Sequence, residues 1–226
     1  MKNRVFIALA VAAAFFGCSR EKAPEPPPPP PPPSAEEFAA LKARAEGGDA
    51  HAQADLGHAY VQGVEGKVDF KQAAHWYGLA ASNGFAEAQA VYGELFQAGQ
   101  GVPHDMNAAI TWFIKAAEAG NVTAQFDLGY AYDQGDGIPK DPALASKWYR
   151  LAAEGGDPMA QFIYGQRCAA GLGVAKDEVE ALKWLLLAAD HGQEDAKAKA
   201  ITVRQPMTSE QVAEAKKRAI AFVPRR

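Results

Sequence analysis

The sequence is poor in the features that mark disulfide-rich, membrane-spanning and nucleic-acid-binding proteins. Its 226 residues include two cysteines, so the fold must be held by packing rather than by a disulfide framework. The apolar run from Val5 to Gly17 is 13 residues long, and a membrane-spanning helix needs about 20. Acidic residues outnumber basic ones, 27 to 23, and the basic residues form no stripe. This charge balance argues against a nucleic-acid partner.

Local enzyme motifs are also missing. The sequence has no phosphate-binding loop, no Gly-x-Ser-x-Gly nucleophile elbow and no His-Glu-x-x-His zinc motif. His51 and His58 are spaced to share one helix face, but no acidic residue or cysteine completes a ligand set, so neither a metal site nor a cofactor is predicted. We therefore expect a non-enzymatic protein without catalytic residues. The alternative is a cell-wall-associated enzyme, a murein or β-lactam hydrolase, on a helical scaffold.

What the sequence does contain is an internal repeat with a period of 36 residues. Tryptophan recurs four times at this spacing, and an Ala-Gln pair and two glycines keep the same register. The anchors are Trp76, Trp112, Trp148 and Trp184; Ala52-Gln53, Ala88-Gln89, Ala124-Gln125 and Ala160-Gln161; Gly57, Gly93, Gly129 and Gly165; and Gly84, Gly120, Gly156 and Gly192. A fixed period of this length is typical of a stacked solenoid. The abundant alanine favours an all-α fold with close contacts between helices.

The third unit predicts two helices, A and B, joined by a glycine-containing loop. Helix A covers residues 123–134, in which apolar residues recur at helical spacing. Gly135 and Gly137 permit the positive φ with which this helix ends. Asp141 is the expected N-cap of helix B, and Pro142 is its first residue. The equivalent caps in the other units are Asp69, Asp105 and Asp177, and Gln72 and Glu180 are placed to complete capping boxes.

The two helices are predicted to match large side chains with small ones. Trp148 and Tyr149 of helix B need a recess, which Gly129 of helix A provides because it lets the backbones approach. Neither helix can bury its apolar face within a single unit. Residues 35–48 match the second half of a repeat, and residues 193–226 are expected to form C-terminal capping helices, as a solenoid requires for solubility.

Together the anchors form the phrase Ala-Gln-x-x-Leu-Gly-x-x-Tyr, Gly-x-Gly-[Val/Ile], Asp, Ala-x-x-Trp-Tyr-x-x-Ala-Ala-x-x-Gly. This phrase resembles the Sel-one-like repeat (SLR), a relative of the tetratricopeptide repeat with a longer loop. The resemblance covers four units, residues 49–84, 85–120, 121–156 and 157–192, and the first unit departs from it in the loop at residues 62–67. It implies a right-handed superhelical solenoid of helix-turn-helix repeats, which recruits protein partners along its concave side.

The first eighteen residues predict an export signal, because basic residues precede the apolar run. The end of the run, Phe15-Phe16-Gly17-Cys18, resembles the lipobox of bacterial lipoproteins, with Phe15 where that family usually has leucine. The resemblance implies lipidation of Cys18 and, since Ser19 follows, an outer-membrane lipoprotein that faces the periplasm. A soluble periplasmic or secreted protein is the alternative. Residues 19–34 are proline-rich and form a spacer of roughly 50 Å at full reach.

Angular spacing of about 100° per residue predicts a partner-binding groove on helix A. In the first unit Leu56 and Tyr60 face the core, whereas Ala54 faces away from it. The groove residues predicted in this way are His51, His58, Glu87, Glu94, Phe126, Tyr130, Met159, Phe162 and Gln166. The aromatic residues and Met159 are expected to anchor an apolar element of an envelope protein or peptide. Alternatively, Phe126 and Phe162 pack between neighbouring helices.

Overall fold

The computed structural model describes residues 35–63 and 67–225. The predicted export segment, Cys18 and the proline-rich spacer lie outside these residues. Within the described ranges the regular elements are eleven α-helices, and no helix there is long and apolar enough to cross a bilayer. The helices are α1 (Ala35–Glu46), α2 (Ala50–Gln62), α3 (Phe70–Ser82), α4 (Ala86–Ala98), α5 (Met106–Glu118), α6 (Val122–Gln134), α7 (Pro142–Glu154), α8 (Pro158–Ala170), α9 (Glu178–Asp190), α10 (Glu194–Arg204) and α11 (Ser209–Ile220).

Helices α2 to α9 form four A–B pairs, in which α2, α4, α6 and α8 are the helices A. Consecutive helices from α1 to α10 pack on one another, and α11 packs on α9. The apolar core is therefore a row of clusters along the array rather than one centre. This arrangement is the all-α solenoid that the repeat predicts, because each unit buries its faces only against its neighbours.

The helix boundaries follow from local capping chemistry. Asp69, Asp105, Asp141 and Asp177 are the N-caps of the helices B, and each carboxylate accepts backbone N–H bonds from the first turn. The predicted capping boxes at Gln72 and Glu180 are wrong. Glu180 turns along the helix instead, where Oε1 accepts the indole N–H of Trp184 at 2.6 Å. Among the described helices the reciprocal box forms at α11, between Thr208 and Gln211.

The predicted match of large and small residues is confirmed in every pair for the residue that follows the tryptophan, whereas the tryptophan itself does not lie against the glycine. Each mid-helix glycine of helix A lies against one bulky residue of helix B, so that an added Cβ would fall 2.7 to 3.0 Å from that side chain. The facing pairs are Gly57 with Tyr77, Gly93 with Phe113, Gly129 with Tyr149, and Gly165 with Leu185. Any larger side chain at these glycines would push the two helices apart, which explains why the glycine recurs.

The Ala-Gln pair recurs because the glutamine joins successive units. Its side chain is buried, and its Nε2 donates to a carbonyl near the end of the preceding helix. The bonds run from Gln53 to Ala45, from Gln89 to Ala81, from Gln125 to Ala117 and from Gln161 to Ala153, at 3.1 to 3.3 Å. Each of these carbonyls also accepts the backbone N–H of the glycine three residues later, so the buried glutamine adds a second bond that holds the two helices together.

A buried arginine marks the junction between the third and fourth repeats. Arg167 is 3% exposed, and its guanidinium donates to Ser146 Oγ at 2.7 Å, Asp133 Oδ1 at 2.8 Å and the Pro142 carbonyl at 2.9 Å. The same register positions at the first junction hold Val61, Ala74 and Leu95. An ionic group has therefore replaced an apolar one inside the array, and its donors are satisfied by the surrounding helices.

Candidate binding surface on the first helices of the repeats

The side of the helices A that stays accessible forms a continuous set of positions, which we term the helix-A stripe. It contains four residues from each repeat, at equivalent positions. These residues are spaced by four, three and four positions along the helix, so they share one helix face. Its members are His51, Asp55, His58 and Gln62; Glu87, Val91, Glu94 and Ala98; Thr123, Asp127, Tyr130 and Gln134; and Met159, Ile163, Gln166 and Ala170, all of them exposed or half-buried. Each is in α2, α4, α6 or α8.

Most of the predicted groove residues lie on this stripe. They are His51, His58, Glu87, Glu94, Tyr130, Met159 and Gln166. Phe126 and Phe162 do not, because they stand at the register position of the buried Ala54 and pack against the core. The Phe126 ring packs edge-on against Tyr149, with 5.6 Å between the ring centroids. The contacts of these two residues are those of side chains packed between neighbouring helices.

The expectation that Ala54 faces away from the core is wrong. Ala54 and its equivalent Ala90 are 8% and 4% exposed and belong to core clusters. The reason is the stacking itself. A helix A packs against a helix B on each side, so its buried arc is wider than that of a helix with one core face.

Two large apolar side chains remain exposed on the stripe. Tyr130, in the third turn of α6, is 50% exposed, and Met159, in the first turn of α8, is 40% exposed. Tyr130 and Asp127 also line a small cavity of about 30 Å³, together with Phe113, and it has room for roughly one water molecule. Tyrosine and methionine are favoured at protein interfaces, because they combine large contact area with a polar tip or a polarisable sulfur.

The stripe is acidic, and the groove prediction included only part of its acidic residues. Asp55 and Asp127 join the predicted Glu87 and Glu94 on it, and no lysine or arginine lies among its members. Asp127 could have been found from the sequence, because it lies four residues after Thr123 and three before Tyr130. A face that carries carboxylates without counter-charges has a negative potential and attracts cationic partners.

Two of these carboxyl groups have strongly altered acidity. Burial, with a smaller contribution from the nearby Asp127 charge, raises the pKa of Glu94 to about 7. Burial also raises the pKa of Asp127 to about 7, with a smaller contribution from Asp157. Both groups are therefore only partly ionised at neutral pH. A cation close to these carboxyl groups would stabilise their ionised form, and the ionised carboxylates would attract the cation.

The raised pKa values predict that the array loses stability as the pH rises. The folded chain retains protons on Glu94 and Asp127 between their ordinary pKa values, 4.5 and 3.8, and about 7, whereas the unfolded chain has released them. Stability must then fall as pH rises through this window. Glu94→Gln or Asp127→Asn should each raise the free energy of unfolding at pH 8 by about 1–3 kcal/mol, with little gain at pH 4. Urea unfolding followed by circular dichroism at pH 4, 6 and 8 measures this.

Glu87→Gln is the matched control, because Glu87 is exposed in the first turn of the same helix as Glu94. It should bring no gain in stability at pH 8. Wild-type stability that rises between pH 5 and pH 8, or a Glu94→Gln variant no more stable than wild type at pH 8, would contradict the assignment.

The two histidines of the stripe have different surroundings. His58 is half-buried, its Nδ1 lies 3.5 Å from the Tyr77 hydroxyl, and burial lowers its pKa. The exposed His51 ring instead packs on Phe85, with 4.6 Å between the ring centroids. Across the part of the chain that the structure describes, no three His, Cys, Asp or Glu side chains come together as a metal site.

Comparison with known proteins now identifies the repeat. The family model described as Sel1 repeat matches residues 50–85, 86–121, 122–157 and 158–193. The chain belongs to the Sel1 repeat family. Each match begins within the first turn of a helix A and continues past the end of helix B. Sel1 repeat proteins are generally protein-interaction scaffolds without catalytic activity.

Solved Sel1 repeat structures share the fold. A protective antigen of uropathogenic Escherichia coli, which displays an SLR fold, is 35% identical, with a TM-score of 0.71 over 81% of this chain and 40% of that one. A Sel1 repeat protein of Oxalobacter formigenes is 32% identical, with a TM-score of 0.71 over 74% of this chain and 49% of that one. The chain thus spans less than half the length of these two proteins. No curated protein shows significant sequence similarity to it.

Proposed function

We propose that this Sel1 repeat protein is a non-enzymatic adaptor of the bacterial cell envelope, and that the helix-A stripe binds a peptide or protein partner. The exposure of Tyr130 and Met159 on an acidic surface carries the proposal. Both side chains lie on rigid helices whose positions are fixed by neighbouring repeats, so little conformational entropy is lost when a partner binds.

The stripe suggests the chemistry of the partner. An apolar side chain of the partner would contact Tyr130 or Met159, and a lysine or arginine would lie near Glu94 and Asp127. The two carboxyl groups are half-buried and lack a basic neighbour on the stripe. A partner cation would remove the cost of ionising them. Binding is therefore expected to tighten as the pH rises from about 6 to about 8, because both pKa values are about 7.

The location in the envelope belongs to the same proposal. Export would be directed by the basic and apolar start of the chain, and lipid on Cys18 would anchor the mature protein in the outer membrane. The proline-rich residues 19–34 would hold the array roughly 50 Å from the membrane at full reach. Detection of lipid mass on Cys18 tests the anchor, and an unmodified, soluble mature chain would refute it.

The proposed groove is tested by quantitative co-purification from envelope extracts of the native host. The variants are Tyr130→Asp and Met159→Asp, which place a charge where an apolar contact is expected, and Leu79→Asp, which does the same at a 39% exposed residue of helix B in the first repeat. A protein that is retained by wild type and Leu79→Asp, and is lost from both stripe variants, supports the proposal. Partners that survive both stripe substitutions contradict it.

The second candidate function is a cell-wall hydrolase, and the raised pKa values of Glu94 and Asp127 favour it, since a general acid must be protonated at its working pH. The discriminating experiment is incubation of the purified protein with murein fragments. Turnover that disappears in Glu94→Gln would establish the hydrolase in place of the adaptor. Absence of turnover, together with retained partner binding, leaves the adaptor.

A further inference from the structure

The C-terminal end of the array presents a helix-A face without its helix B. Helix α10 occupies the helix-A position of a fifth unit, since its buried Ala196 continues the register of Ala52 and its equivalents. Helix α11 packs on α9 rather than following α10 as a helix B. As a result Ile201, at the register position of Gly165, is 66% exposed. In the complete repeats that position is covered by a residue of helix B, such as Leu185 in the fourth repeat.

A hollow lies beside this exposed face. The register position held by Leu56, Tyr92, Leu128 and Tyr164 is occupied in α10 by Ala200. The missing side-chain volume leaves a cavity of about 240 Å³ between α9 and α10, and its wall on α9 is formed by Leu182, Leu186 and Ala189. These residues follow the helix for two turns, which is about 10 Å. The cavity therefore has the length of a helix–helix contact and an apolar floor.

Three cations surround the hollow. Lys197 and Arg204 of α10 and Lys216 of α11 all line it. Lys197 contacts Glu194 at 3.2 Å, whereas Arg204 and Lys216 form no ion pair with any described residue. This charge differs from that of the rest of the chain, which has an excess of acidic residues. An apolar floor with a cationic rim complements an apolar ligand surface with a carboxylate rim.

We propose that this C-terminal hollow binds an amphipathic helix of a partner protein, one that presents a bulky apolar side chain towards Ala200 and carboxylates towards Arg204 and Lys216. The helix takes the place of the absent fifth helix B, and a small residue on it faces Ile201. The site is separate from the helix-A stripe and does not depend on the function proposed for it. It differs also in charge, since the stripe suits a basic partner and the hollow an acidic one.

The probe for the test is a stapled peptide that copies α9, residues 178–190, with Leu185→Ala so that a small residue can face Ile201. It retains Trp184 and the carboxylates of Glu178, Glu180 and Asp190, and the staple offsets the weak helicity of so short a peptide. The control peptide carries lysine at the three acidic positions. Binding to the full chain is measured by fluorescence anisotropy, and the acidic peptide is expected to bind at least about tenfold more tightly than the lysine peptide.

Variants of the chain locate the site. Ala200→Tyr fills the hollow with the side chain that Tyr92 and Tyr164 supply elsewhere, and should weaken binding about tenfold or more without lowering the melting temperature. Arg204→Glu, at an exposed residue, should weaken it similarly even if the tyrosine variant folds poorly. Lys71→Glu, on the distant α3, should leave it unchanged.

Three outcomes would overturn the proposal. The first is equal binding of the acidic and lysine peptides. The second is binding of the acidic peptide that survives both Ala200→Tyr and Arg204→Glu. The third is self-association of the chain that is lost in Ile201→Glu and prevents peptide binding, since it would assign the hollow to a second copy rather than to a partner helix.

Discussion

Replacing Gly173 by alanine should cost about 3–5 kcal/mol and unfold the end of the array. Gly173 has a φ of 66°, a conformation that side chains rarely adopt, and an added Cβ would lie 1.9 Å from the Pro142 carbonyl oxygen. That oxygen belongs to the backbone at the start of α7 and cannot rotate away. Since this loop packs one repeat on the previous one, the substitution should detach the fourth repeat rather than disturb a turn.

Gly171→Ala is the matched control, because Gly171 has a similar φ of 72° but its added Cβ would come no closer than 3.3 Å to another atom. It should cost only about 1 kcal/mol, the strain of positive φ alone. Gly137→Ala should fall between them, since the clashing atom there is Cγ of the flexible Met106 side chain. Thermal and urea unfolding measure the series. Equal losses for Gly171→Ala and Gly173→Ala would show that the contact between repeats is not the cause.

Replacing Arg167 by leucine is the second change with a large expected effect. It removes the guanidinium whose three nitrogens each donate to one acceptor, Ser146 Oγ, Asp133 Oδ1 and the Pro142 carbonyl, and leaves Asp133 without its partner. The expected loss is about 2–4 kcal/mol, because the surrounding polar groups stay largely buried after their hydrogen bonds are gone. Urea unfolding of the purified variant measures it.

A triple variant distinguishes a need for the ionic group itself from a need for any well-packed group at this junction. Asp133→Val, Ser146→Ala and Arg167→Leu together copy the apolar group Val61, Ala74 and Leu95 of the first junction. Replacing a buried ionic group by apolar residues of matching shape is often neutral or stabilising, so this triple variant should recover most of the stability that Arg167→Leu loses. A triple variant less stable than the single one would mean that the ionic group has a role beyond filling the junction.

The repeating helices and the terminal helices were predictable from the sequence, whereas side-chain contacts that occur only once were not. The 36-residue period averages out local ambiguity, which is why the helices, the aspartate caps and the recess at Gly129 were predicted. The predicted capping box at Glu180 does not form, because the Glu180 carboxylate accepts the indole N–H of Trp184 instead of the backbone N–H of the N-cap residue. Arg167 was overlooked although it stands where Ala59, Leu95 and Ala131 stand in the other units. The signal available in the sequence was a charged residue at a repeat position that is apolar in the other units.

The candidate surface was predictable in position but not in detail. Angular spacing placed Tyr130 and Met159 correctly among accessible residues, because this depends only on helix geometry. It failed for Ala54, since the width of the buried arc depends on how many helices surround helix A. The raised pKa values of Glu94 and Asp127 also lay beyond the sequence, because burial and the approach of charges from adjacent repeats determine them.

The most direct test of the adaptor proposal is photo-crosslinking in cells of the native host, with a photoreactive amino acid in place of Tyr130 on the stripe or of Leu79 on helix B of the first repeat. Trapped proteins are identified by mass spectrometry. The account predicts that one envelope protein is captured from position 130 and not from position 79. Capture of the same proteins from both positions, or of none from position 130, would contradict it.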